Sequence, residues 1–166
     1  MTNVLSRLLA PLLLVAPAAA MAQGATFTVK QLTPETALVA AQAAMKKCRD
    51  NGFQVAVAIV DRSGITQVLL RDRFAGPHTV ETATRKAWTA ASFRTGTTDL
   101  DKEAQPGKPA AGLRQLPNVA ILGGGLVIEA GGSTFGGIGV SGAPGQAADD
   151  VCAKAGIAAI AESLEF

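Results

Sequence analysis

The residues best equipped for chemistry fall in one stretch, Arg71 to Phe93, which holds the single histidine and the single tryptophan of the 166-residue chain. An apolar strand breaks there at Gly76-Pro77 and an amphipathic helix begins. Thr79 is placed to cap that helix with its hydroxyl. Glu81 sets a carboxylate in the first turn, where free N–H groups and the positive end of the helix dipole lie. His78 then stands at the helix mouth. A ligand arriving there meets an imidazole, unpaired backbone donors and the cations Arg71, Arg73, Arg85 and Lys86, a set that suits an anion or a haem group. The competing description makes His78 a surface turn residue on a helix that merely covers a sheet. For general acid–base work the combination to consider is Asp61 with Lys86 or Arg71.

Several other chemistries are excluded by context. Gly137-Ile138-Gly139-Val140-Ser141-Gly142 matches the dinucleotide pattern G-x-G-x-x-G in form, but that fingerprint needs an early βαβ unit and an acid about 20 residues on. Gly139-Val140-Ser141 hints at a nucleophile elbow, yet such a serine needs an acid and then a histidine downstream, and His78 lies upstream. Ser141 reads instead as a turn or helix-entry residue. There is no phosphate loop with the G-x-x-x-x-G-K-[ST] pattern, and one histidine with two distant cysteines lacks the spacing of a zinc site.

The elements that position these residues are legible in order. Met1 to Ala22 has a positive end at Arg7, an apolar run from Leu8 to Val15 and Ala20-Met21-Ala22 before Gln23, the pattern of a secretory signal peptide. Residues 1–22 are therefore expected to be removed, leaving a single domain over 23–166 in the periplasm or outside the cell. The apolar run is too short for a membrane span, which needs about 20 residues. With 18 glycines, 4% aromatic residues and a net charge of +2, the composition suits helices packed closely on a sheet; no basic stripe points to nucleic acid.

Thr33-Pro34-Glu35 starts a helix that Asn51-Gly52 ends, with Leu38, Ala41, Met45 and Cys48 as its inner stripe. Phe53 to Val60 reads as a central strand, Asp61 to Gly64 as a turn, and Ile65 to Arg71 as its hairpin partner. The helix of the opening stretch turns Val80, Ala83, Ala87 and Ala90 inward and leaves Lys86 as a snorkelling surface lysine, unless an acid or carbonyl partners it. Short helical turns are expected at Thr98 to Glu103 and Ala110 to Leu116. Val119 to Leu122 is expected as a strand running into Gly123-Gly124-Gly125, then Leu126 to Glu129 and Ser133 to Val140 as a hairpin, then a closing helix from Ala147 to Leu164 with Val151, Ala155, Ala158 and Ala159 inward. The whole is α+β, with an antiparallel sheet of roughly five strands between helices. If the first and last helices pack antiparallel on one sheet face, Cys48 and Cys152 meet and an exported protein joins them as a disulfide; otherwise they remain two buried thiols.

The chain resembles the haem-degrading or GlcG/HbpS-like family. The likeness is carried by AVAIVDRSG (Ala56 to Gly64), AGPHT (Ala75 to Thr79), RKAWTAASF (Arg85 to Phe93), GGG (Gly123 to Gly125), GGIGVSGAPG (Gly136 to Gly145) and AKAGIAAI (Ala153 to Ile160). It covers nearly all of the mature chain. The resemblance implies a profilin-like three-layer α/β/α domain that forms homo-oligomers, with members that bind haem and some linked to sensor kinases or to glycolate and diol metabolism. Position by position, the family's AGPH turn falls on Ala75 to His78, its KA pair on Lys86-Ala87 and its threonine-bearing loop on Thr97-Thr98-Asp99. His78 and, behind it, Thr97 are the iron-contact candidates, with Arg71, Arg73, Phe74 and Lys86 around the cofactor. Relatives carry a glycine-rich approach to AGPH where this chain has Asp72-Arg73-Phe74, so Phe74 either stacks on a porphyrin or blocks it. The expected function is an exported haem or tetrapyrrole binding protein in haem handling or sensing. The alternatives are a small enzyme acting on haem or a small metabolite, and an oligomeric interaction module without ligand.

Overall fold

A computed structural model describes residues 24–164. The signal peptide expected over 1–22, with its cleavage point at Gln23, lies outside the described residues. Thr33 caps α1 (Pro34–Asp50), its hydroxyl accepting the Thr36 N–H, and Gly52 at φ +82° takes the left-handed turn that releases the chain into β1 (Ala56–Asp61). Then follow β2 (Thr66–Arg71), α2 (His78–Phe93), α3 (Thr97–Glu103), a 3₁₀ turn at Ala111–Gln115, β3 (Gly125–Ala130), β4 (Ser133–Ser141), α4 (Gln146–Ala158) and α5 (Ala161–Leu164).

The four strands form one antiparallel sheet in the order β2-β1-β4-β3, built from two hairpins whose inner strands pair Ala56 with Ser141 through to Asp61 with Gly136. The expected fifth strand at Val119 to Leu122 is absent from this sheet. Val119 and Ile121 are buried with Leu100 and Ala104, but the Ala120 N–H goes to the Thr89 hydroxyl, and the Gly123, Gly124 and Gly125 N–H groups go to side chains of Gln146, Asp150 and Thr97. Donors committed to side chains do not build a ladder.

Alternation along β1 sends its side chains to two layers. Val57 and Ile59 face α1 and α4, while Ala56, Ala58 and Val60 face α2. On the α2 side β4 contributes glycine: a Cβ on Gly139 would lie 2.0 Å from the Ala83 carbonyl oxygen, so only a bare backbone lets α2 sit this low. On the other side α4 runs antiparallel to α1, with Gly156 over Ala40 and Ala44 and a disulfide joining Cys48 to Cys152 at a Cα separation of 5.5 Å.

The helix faces differ in phase from the expectation. Leu38 is exposed and Ala37, Ala40 and Ala44 join Ala41, Met45 and Cys48 inside; in the last helix Val151 is exposed and Ala158 and Ala159 face solvent, while Asp149, Cys152, Ala153 and Gly156 are buried. The closing helix also breaks at Ala159-Ile160, so α5 is a separate turn that buries Leu164.

Candidate functional site

The loop from Asp72 to Pro77 and the first turn of α2 form one projecting corner. Pro77 occupies the N-cap position and offers no side-chain bond. Thr79 does not cap: it is buried, and its hydroxyl donates to the Gly76 carbonyl at 2.6 Å, because this side chain faces inward against the Gly142 turn. His78 is the first helical residue. Its ring lies back over Gly76, where an added Cβ would stand 2.7 Å from Cε1, and the exposed imidazole has no hydrogen-bond partner among the described residues. Phe74, four residues earlier in the loop, is 80% exposed.

The charged residues behind this corner are spent on holding it. Arg71 donates from Nε and Nη2 to the Ala75 carbonyl at 3.0 and 2.7 Å. Asp72 is buried and takes a two-pronged bond from Arg49, at 2.8 and 2.7 Å, which holds its carboxyl below the usual aspartate range against the opposing effect of burial. The Arg73 guanidinium makes no hydrogen bond or ion pair among the described residues, though its charge adds to the lowering of the Asp72 pKa.

His78, Thr82 and Arg85 follow at i, i+4 and i+7 and share a face of α2. Thr82 and Arg85 line a cleft of about 260 Å³ whose far wall is Arg114 and Val119 to Leu122. Arg85 is loosely held. Its two contacts, to Glu81 and to the Val119 carbonyl, are both 3.4 Å, and its Nε is covered without an acceptor.

Lys86 and Thr97 sit elsewhere. Lys86 is not a snorkelling residue: at 3% exposure it donates to the Val140 carbonyl at 2.9 Å and to Asp149 at 2.8 Å. Burial pushes the Asp149 carboxyl above its ordinary range, ahead of the opposing pull of Lys86. The Gly123-Gly124-Gly125 run makes the pair possible, since a Cβ on Gly124 would meet the Val140 oxygen at 2.5 Å and Asp149 at 2.6 Å. Thr97 is fully buried, with Oγ1 accepting from the Gly125 N–H at 2.9 Å and donating to its carbonyl at 3.3 Å. Thr98 and Gln146 complete this hub, through bonds to Asp150 and Gly123. Thr97 packs with Gly125 beside the Lys86 carbonyl, eight residues and about 12 Å along α2 from His78, and its buried hydroxyl is committed to Gly125 while His78 faces solvent, so the two do not reach a common iron within one chain.

The acid–base combinations are not assembled. Asp61 accepts the Ser63 and Ile65 N–H groups of its own turn; Arg71 lies at the other end of the β1–β2 hairpin, and Lys86 contacts Val140, whose β1 partner is Val57, about 13 Å down the strand from Asp61. Among the described residues no three His, Cys, Asp or Glu side chains gather as a metal site, and no helix is long and apolar enough to cross a membrane. The residues that sequence reasoning missed are Asp149, Asp150 and Arg114. The two acids were visible as first-turn residues of the last helix, but their partners lie far off in the chain.

A model of the family described as haem degrading protein HbpS-like matches residues 32–158. A double mutant of HbpS from Streptomyces reticuli superposes with a TM-score of 0.77 at 40% identity, covering 86% of this chain and 97% of that one. The PduOC:heme complex superposes with a TM-score of 0.74 at 32% identity, covering 79% of this chain and 96% of that one. The corrinoid adenosyltransferase PduO of Citrobacter freundii is 34% identical over 121 residues, 72% of this chain, and the match spans 36% of that protein's length.

Proposed function

The chain belongs to the HbpS-like haem-degrading family, and from that premise we propose that it binds haem at the mouth of α2, with the His78 imidazole on the iron. The observation that carries this is a solvent-facing imidazole with no hydrogen-bond partner among the described residues, four residues after an exposed aromatic ring. The donor set suits the group: an imidazole for iron, the Phe74 ring for the porphyrin face, and the guanidinium groups of Arg73 and Arg85, which have donors to spare, for the propionates. Bound haem supplies an iron that takes a nitrogen ligand and two carboxylates that take cations. Arg71 and Lys86 act on the site by shaping it, since their donors are committed to Ala75, Val140 and Asp149. Thr97 holds the start of β3 through Gly125.

The relative crystallised as a PduOC:heme complex supports the choice of ligand. Binding without turnover is the favoured activity, because among the described residues no acid or base is hydrogen-bonded to the His78 ring. Export is part of the proposal and is supported by the Cys48–Cys152 bond, which persists in oxidising compartments. So is self-association: Leu38, Val39 and Val151 leave apolar side chains exposed on the outer α1–α4 layer. The test is a haemin titration followed by absorption, on the wild type and on His78→Ala. Saturable binding near one haem per chain, with a changed Soret band and an affinity about tenfold or more weaker in the variant, is expected. Identical spectra and affinity in the two proteins refute the assignment.

A further inference from the structure

At the pole of the fold opposite His78, three cations surround one hollow. Arg62 stands on the β1–β2 turn, Arg94 follows the last residue of α2, and Lys30 comes from the segment before α1; together with the hydroxyls of Thr28, Ser133 and Thr134 they line a cleft of about 330 Å³. Among the described residues no carboxylate and no large apolar side chain lines it. The nearest acids by chain and register are turned away or stand outside: Asp61 is bound to the Ser63 and Ile65 N–H groups, and Glu129, the ladder partner of Thr134, is not part of the wall.

The contrast with other arginines is chemical. Arg49, Arg71 and Arg114 each have a carboxylate or carbonyl partner, with bonds of 2.7 to 3.0 Å to Asp72 and Ala75 and of 2.8 Å to Ala104. Arg62 and Arg94, and the three hydroxyls, make no hydrogen bond or ion pair within the described residues. One cation at a helix C-terminus is ordinary, because the dipole favours it. Arg62 and Arg94, unpaired beside one concavity, repel each other, which is relieved by an anion seated between them. Hydroxyls beside guanidinium forks match an oxyanion with several acceptor oxygens, and the lack of an apolar wall excludes a ring or an acyl chain as the recognised part.

We propose that the cleft between the β1–β2 turn, the end of α2 and the β3–β4 turn is a binding site for a phosphoryl oxyanion. It does not depend on the haem reading, since α2 separates the two sites by about 24 Å. The test is amide chemical-shift titration of the oxidised full-length mature protein with inorganic phosphate and with glycerol phosphate, against chloride at equal ionic strength, in the wild type and in Arg62→Gln/Arg94→Gln. Both substituted residues are exposed, and an unchanged thermal midpoint verifies the variant's fold. Expected are saturable shifts centred on residues 62, 94 and 132–134, with binding about tenfold or more weaker in the variant. Phosphatidylglycerol vesicles form a second arm: vesicle binding that the variant loses, without saturation by free phosphate, assigns the same chemistry to a lipid headgroup. Shifts that chloride reproduces, or equal binding by wild type and variant in both arms, overturn the proposal.

Discussion

Reducing the bond between Cys48 and Cys152 is the perturbation whose size the structure sets most directly. The two positions are 104 residues apart, and the chain-entropy account gives about 4.7 kcal/mol for a closed loop of that order. A domain of this size has roughly 5–15 kcal/mol in all, so the bond carries between a third and nearly the whole of the margin. Both sulfurs are fully buried between α1 and α4 and remain packed as thiols after reduction, which makes 4.7 kcal/mol an upper figure. In thermal terms the loss corresponds to a fall in Tm of about 10–19 °C. The assay is urea unfolding of the wild type with and without reductant, alongside Cys48→Ala/Cys152→Ala, whose midpoint should be low and indifferent to reductant. A wild-type midpoint unmoved by reductant, or two titratable thiols in denatured and unreduced protein, refutes the reasoning.

Three further perturbations follow from the packing. Lys86→Met leaves the Asp149 carboxylate buried without its cation and should cost about 3–5 kcal/mol at neutral pH in urea unfolding; the deficit should shrink in acid as Asp149 takes up a proton, and a deficit that grows instead contradicts the buried pair. Asp72, whose folded-state pKa is lowered chiefly by its bond to Arg49, adds stability above the ordinary aspartate range near pH 4 and loses it as pH falls through the lowered value; Asp72→Asn should therefore flatten the acid limb of the urea midpoint against pH between about pH 5 and 2, and parallel limbs exclude the effect. Gly139→Ala drives a methyl group into the Ala83 carbonyl and should cost about 1–3 kcal/mol or more by calorimetry, whereas Gly112→Ala, which faces open space, should be near neutral; equal midpoints for the two variants mean that α2 does not sit where described.

Local chemistry explains what could be read in advance. Thr33-Pro34 and Asn51-Gly52 carry their own start and stop signals, both hairpins follow from apolar runs separated by short turns, and the Cys48–Cys152 pairing needs only two neighbouring antiparallel helices. What escaped reading depends on partners remote in sequence. Val119 to Leu122 has the composition of a strand, but its backbone and that of the glycines after it bind Thr89, Gln146, Asp150 and Thr97, so no ladder forms. Lys86 meets Asp149 from 63 residues away. The phase of α4 was misread because alanine populates both of its faces, and the residue that marks its inner side, Asp149, is polar. At the site, the position of His78 at the helix mouth was readable from Gly76-Pro77. The commitment of Arg71 to Ala75 is set by the path of the loop between them, and that of Thr97 to Gly125 by a partner 28 residues away, neither of which a local pattern names.

The central claim is that the His78 imidazole holds the iron, and chemical rescue tests it most directly. In His78→Gly the ring is removed at a solvent-facing position, so added imidazole can occupy its place. The Soret spectrum of haem-loaded His78→Gly should differ from that of the wild type and return to it on saturation with imidazole, while the wild type stays unchanged by the same addition. A His78→Gly spectrum already identical to the wild type before imidazole is added would contradict the assignment and move the iron to another ligand.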